Sequence, residues 1–125
     1  MNKRSFQNSS FPSTRLRRNR MKSFSRKLIS ENALTVNDLI LPLFVTEGMN
    51  KKEDIPSMPK VYRNSIDELL KEAEYATKLE IPAIAIFPHI EKDLKDEKGS
   101  NAIDNKNLVC RSIKAVKKEF PDLGI

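Results

Sequence analysis

A lone histidine, a lone cysteine, a cluster of acids and a surplus of lysines and arginines are the side chains here whose types could do chemistry. His89 follows Phe87-Pro88 at the end of an apolar run, a position suited to an active-site rim; with no carboxylate in register it reads more readily as structural. Cys110 has no second Cys or nearby His at metal-ligand spacing and lies beside the apolar Val109, so it reads as a small buried residue. Asp93, Asp96 and Glu97 could attract a cation, but they alternate with Lys92, Lys95 and Lys98, the pattern of a solvated loop. Gly99-Ser100 belongs to neither GxGxxG nor GxxxxGK[ST], so no phosphate loop is present.

The basic residues are unevenly placed. Nine of them, among them Arg15, Arg17 and Arg18, precede Glu31, the first acid. From Leu28 onward 14 basic residues face 17 acidic ones, so the net charge of +6 resides in the leading segment. Such a tail can bind an acidic neighbouring subunit, a membrane surface or nucleic acid. Only Phe6 and Phe11 interleave with its arginines, which makes base stacking a poor fit and nucleic acid an unlikely partner.

The elements that would position these groups follow from hydrophobic period. Residues 1–20 have no period and read as an extended basic arm; Met21, Phe24 and Leu28 recur at helical spacing, which predicts a short helix over 21–32. LILPLFV (39–45) is apolar almost throughout, as in a strand buried on both faces of a parallel sheet. Pro42 fits such a strand only where its missing N–H costs nothing. Residues 46–64 read as one long loop. Ser65 and Glu68 have capping-box spacing, and Ile66, Leu69, Leu70, Ala73 and Ala76 form the inner face of a helix that Pro82 stops. AIAIF (83–87) is a second buried strand, and 91–107 a polar loop. A third helix places Val109, Ile113, Val116 and Phe120 inward, and Leu123-Gly124-Ile125 begins another strand.

Strands alternating with helices specify an α/β chain with a parallel sheet. The expected division is an arm with its helix at 1–35 and two βα units plus the start of a third strand at 36–125. Two units leave a sheet edge unpaired, so an isolated chain is expected to fold poorly. No apolar run approaches the ~18–20 residues needed to span a bilayer, no secretory h-region follows the basic start, and a single cysteine suits a reducing, cytoplasmic setting.

In six strings the sequence resembles the porphobilinogen synthase (delta-aminolevulinic acid dehydratase) family. They are TRLRRNR (14–20), DLILPLFVTEG (38–48), IPSMPKVYRNSIDEL (55–69), IPAIAIFP (81–88) and FPDLGI (120–125), with KGSNA (98–102) between the last two. IPSMPKVYRNSIDEL is the most specific, being similar to the family's I-x-S-M-P-G-V-x-R-x-S-x-D-x-L. Two glycines of the family pattern are replaced, by Lys60 and by Glu80, so those turns are expected to have relaxed or the sequence to have drifted.

The resemblance implies a (β/α)8 TIM barrel, of which this chain is the amino-terminal part, and an octamer held by the arm. Phe11, Arg15, Arg17 and Arg18 would contact a neighbouring subunit. It implies a lyase that condenses two 5-aminolevulinate molecules into porphobilinogen for haem synthesis. Two Schiff-base lysines and a Zn²⁺ or Mg²⁺ ion assist, all with residues beyond position 125. No catalytic residue or metal ligand is therefore expected in this chain, and Phe87 would line the substrate pocket. The rival readings are a small interaction module using its basic arm, or a fragment of another Schiff-base barrel enzyme.

Overall fold

The computed structural model describes residues 17–125, which form two units dividing at Leu34 and Thr35. In the first, a 3-10 turn at Arg18–Arg20 precedes helix α1, Ser23–Leu28, and neither contains a buried residue. The helix is half the length that apolar spacing suggested, because six residues with no side-chain cap and no acid in the first turn have little to extend them. Arg17 and Arg18 are exposed, whereas Phe11 and Arg15 lie outside the described residues.

The second unit opens on a turn, Val36–Asp38, in which Asp38 Oδ2 accepts from the Thr35 amide at 2.8 Å and its hydroxyl at 3.0 Å. Four strands follow: β1 Ile40–Val45, β2 Lys52–Asp54, β3 Tyr62–Asn64 and β4 Ala83–Pro88. They form one sheet in the order β2-β3-β1-β4, with β1 parallel to both β3 and β4, and β2 antiparallel to β3. The stretch expected as loop, 46–64, is thus largely a hairpin. Strands of three residues are too short for alternation to distinguish from a turn.

Helices α2, Ile66–Lys78, and α4, Leu108–Glu119, cover one face of the sheet. Leu43 and Val45 of β1 and Ile84 of β4 pack there with Leu69, Ala73 and Ala76 of α2 and Leu108 and Val116 of α4. The other face is uncovered: Ile40 is 65% and Phe87 49% exposed. Neither apolar run is therefore buried on both sides among the described residues, and their continuous hydrophobicity exceeds what this chain covers. The inner line of α4 is Leu108, Ser112 and Val116, with Val109 and Ile113 half-buried at its flanks. Ser112 is tolerated inside because its hydroxyl donates to the Leu108 carbonyl at 2.7 Å. The polar loop at 91–107 contains a 3-10 turn and a short helix, α3, Ser100–Ile103.

Pro42 occupies a central strand without loss. The Val45 carbonyl bonds to β4 and the Thr46 amide to β3, so an amide at position 42 would aim at β3. Pairing with β3 involves only Phe44 and Val45, and position 42 has no acceptor to miss. Ser65 departs from the expected box: its hydroxyl accepts from the Lys51 amide at 2.9 Å and ties the hairpin to α2, while Glu68 pairs with Lys71. Past α4, Gly124 bridges Ala83 in parallel, which starts a further strand beside β4. A Cβ on Gly124 would lie 2.9 Å from that of Ala83, so only glycine allows the approach.

Candidate active site

The carboxyl ends of β1, β3 and β4 point the same way, and in open α/β sheets ligands gather at that end. Register sets one lateral row across all four strands there: Glu53 opposite Arg63, Arg63 opposite Phe44, and Phe44 opposite Phe87. Strand alternation turns Val45 toward the helices, so Phe44 and its row face the uncovered side. The Phe44 and Phe87 rings lie 5.6 Å apart at 32°. Phe87 is excluded from the core cluster and offers its ring to whatever occupies that side.

The charged half of the row is asymmetric. Glu53 pairs with Lys51 at 2.5 Å, and this hydrogen bond chiefly holds its carboxyl below the usual range, with weaker help from Arg63 and His89. Arg63 is half-buried, and among the described residues no carboxylate lies within 4.0 Å of it. His89 does have an acidic neighbour, contrary to the expectation from strand register: Glu91 Oε1 is 3.6 Å from Nε2. Its amide donates to the Val45 carbonyl at 2.7 Å, which fixes the exit of β4 against β1.

Above the strand ends is a cleft of about 130 Å³ between Thr46, Glu47 and His89 on one side and Asn107 and Arg111 on the other. A Glu47–Arg111 ion pair crosses from the β1 exit to α4. Cys110 is half-buried rather than buried, its amide donating to the Asn107 cap at 2.8 Å. A larger cleft, about 340 Å³, lies at the opposite end of the strands beside Pro82 and Phe120, and it holds neither the histidine nor any arginine. The strand-exit end is the better site on chemical grounds.

Asp96 stays in its loop, its carboxyl held below the usual range mainly by the Ser100 hydroxyl. Among the described residues no three His, Cys, Asp or Glu side chains converge as metal ligands. A Zn²⁺ or Mg²⁺ ion therefore finds no ligand set in them. Likewise no helix among them is long and apolar enough to cross a membrane. Arg63, Glu47 and Arg111 were not legible as site residues. Arg63 requires the hairpin register, and the Glu47–Arg111 pair joins residues 64 apart in sequence.

A family model described as delta-aminolevulinic acid dehydratase matches residues 13–125. The chain belongs to the delta-aminolevulinic acid dehydratase family. The dehydratase of Bradyrhizobium diazoefficiens is 51% identical over 111 residues, covering 89% of this chain and 31% of that protein. That of Chlamydia pneumoniae is 47% identical over 111 residues, 89% of this chain and 33% of its own. A crystal structure of the Toxoplasma gondii dehydratase (porphobilinogen synthase), in complex with the product porphobilinogen, aligns with a TM-score of 0.78 at 37% identity, covering 88% of this chain and 31% of that one. The chain spans about a third of the length of these dehydratases. The two turns expected to relax without glycine have not done so: φ is 67° at Lys60 and 59° at Glu80, a left-handed backbone that a side chain strains.

Proposed function

We propose that residues 1–125 form the opening third of a porphobilinogen synthase, a lyase that condenses two 5-aminolevulinate molecules into porphobilinogen. The observation that carries this reading is the uncovered apolar sheet face, whose strand exits hold Phe44, Phe87 and Arg63 in one row. In a closed (β/α)8 barrel that face is the interior, and reacting groups gather at the carboxyl ends of the strands. Gly124 beside Ala83 is where the ring would continue.

Under this reading the chain binds and orients rather than reacts. Phe87 and Phe44 supply an apolar wall that excludes water from one side of a substrate. The Schiff-base lysines and any Zn²⁺ or Mg²⁺ ligands belong to the later two-thirds. A desolvated lysine amine attacks each substrate's keto carbon, which the nucleophilicity of an uncharged amine supports in general. Arm residues Phe11, Arg15, Arg17 and Arg18 contact a neighbouring subunit of a cytoplasmic octamer.

The test is a graft. Residues 1–125 replace the matching third of the Bradyrhizobium diazoefficiens dehydratase, and porphobilinogen formation from 5-aminolevulinate is followed. The graft is expected to turn over, and the isolated chain to show none. A well-folded graft with no activity, or product from residues 1–125 alone, would refute the assignment. Trimming residues 1–20 from the graft is expected to alter its size-exclusion profile more than its turnover.

A further inference from the structure

We propose that the barrel's closing strand pairs with β1 only at residues 40–42, turns out beneath β3 and donates a backbone N–H to Asn64 Oδ1. The inference rests on the function proposed above and adds to it the place where the ring shuts. Its first ground is a buried oxygen without a partner. Asn64 is 4% exposed, and among the described residues nothing donates to its Oδ1. Buried acceptors are almost always satisfied, and leaving one bare costs more than a typical hydrogen bond contributes. Asn64 lies opposite Val45 and Lys52, on the helix side of the sheet. There it walls a cleft of about 230 Å³ with Leu41, Leu43, Lys60 and Tyr62.

The second ground is a half-used strand edge. β3 pairs with β1 only at Phe44 and Val45. The Thr46 amide donates to the Asn64 carbonyl of β3. Alternation along β1 therefore turns the Ile40 amide and carbonyl and the Pro42 carbonyl to the same side. No strand among the described residues lies beside them there. Gly124 extends the sheet at the opposite edge, beside β4. Because β2 runs antiparallel, a parallel ring closes on β1 rather than through the hairpin. β3 and the bend at Lys60 bar the incoming strand from following β1 to its exit. Pro42 ends the ladder at the same level, since it offers a carbonyl and no amide. The strand thus departs on the helix side, through the cleft walled by Asn64.

The experiment uses the graft with Asn64→Leu, with Asn64→Asp, or with residues 1–20 trimmed, and reads melting temperature and amide exchange at single residues. In the unsubstituted graft the Ile40 amide is expected to be as protected as those of Leu41 and Leu43, which alternation turns to β4. Asn64→Leu leaves the incoming N–H unpaired, so the melting temperature should fall. Ile40 should then exchange about tenfold faster, as for one lost hydrogen bond, with Leu43 unchanged. Asn64→Asp keeps an acceptor and should hold Ile40 slow. If instead Asn64→Leu raises the melting temperature and leaves Ile40 unchanged, the oxygen is simply unsatisfied and the proposal is overturned. Free exchange of Ile40 in the unsubstituted graft or in Asn64→Asp overturns it too. So does protection lost on trimming, which makes the arm the occupant. Should Asn64→Leu not fold, Ile40 in the other grafts decides. A graft that never turns over removes the function, whereas an active graft with a contrary result removes this closure alone.

Discussion

At Lys60 and Glu80 the backbone turns through φ of 67° and 59°, a region in which a Cβ crowds the adjacent carbonyl. What holds it there is hydrogen bonding on either side. The Glu80 amide donates to Thr77 O and the Ile81 amide to Ala76 O, both at 3.0 Å, the paired bonds that close a helix through a left-handed residue. Around Lys60 the Val61 amide donates to Met58 O at 3.0 Å and the Ile55 amide to Val61 O at 3.2 Å, so relaxing φ would open the hairpin. Strain is the smaller loss. Glycine relieves it and gives back part of the gain as unfolded-chain entropy, so Lys60→Gly and Glu80→Gly should each stabilise by about 0.5–1 kcal/mol. The effects should add, because the sites share no partner. Thermal melting of the grafted enzyme checks this, and a midpoint lowered by either glycine would show that the turns are not strained.

Among the elements, α4 shows how a few side chains fix a start. Asn107 Oδ1 accepts from the Cys110 amide at 2.8 Å, while Nδ2 donates to Asn101 O at 3.0 Å, tying the helix to α3 and to the loop over the strand-exit cleft. Asn107→Ala removes the cap and should cost about 1 kcal/mol. Amide exchange should accelerate at 100–111 before it does in α2, and uniform acceleration through both helices would count against a local cap. The sequence announces such helices well: the inner face of α2 from Leu69 to Ala76 is where its spacing put it, and Pro82 follows its end. The parallel pairing of 40–45 with 83–88 was equally legible, because each run is long enough to carry a pattern. The hairpin was not, since β2 and β3 have three residues each and polar side chains, and their identity as strands comes from pairing alone. Arg63 was hidden with them. A residue's face is defined only once its strand is, so the charged half of the candidate site could not be read before the fold, and Phe87 was singled out only through the family resemblance.

For the molecule as a whole, the β/α unit has a finished side and an unfinished one. Helices seal Leu43, Val45 and Ile84, while Ile40 and Phe87 on the opposite face remain 65% and 49% exposed. Fully covering a side chain of this size contributes roughly 1.5–3 kcal/mol, so this unit leaves a substantial part of its available stabilisation unused. A single pair of substitutions should therefore act with opposite sign in two settings. In isolated residues 1–125, Ile40→Thr with Phe87→Thr removes exposed apolar surface at little cost, and the soluble fraction after refolding should rise. In the graft, where the proposed barrel would close over the same face, the pair should cost several kcal/mol through lost packing and leave two hydroxyls to be satisfied. The readouts are sedimentation of the refolded chain and the melting temperature of the graft. If the pair leaves the graft's melting temperature unchanged, Ile40 and Phe87 face solvent in the closed enzyme as well. The uncovered side would then be an outer surface, and neither the barrel nor the substrate wall could be built on it.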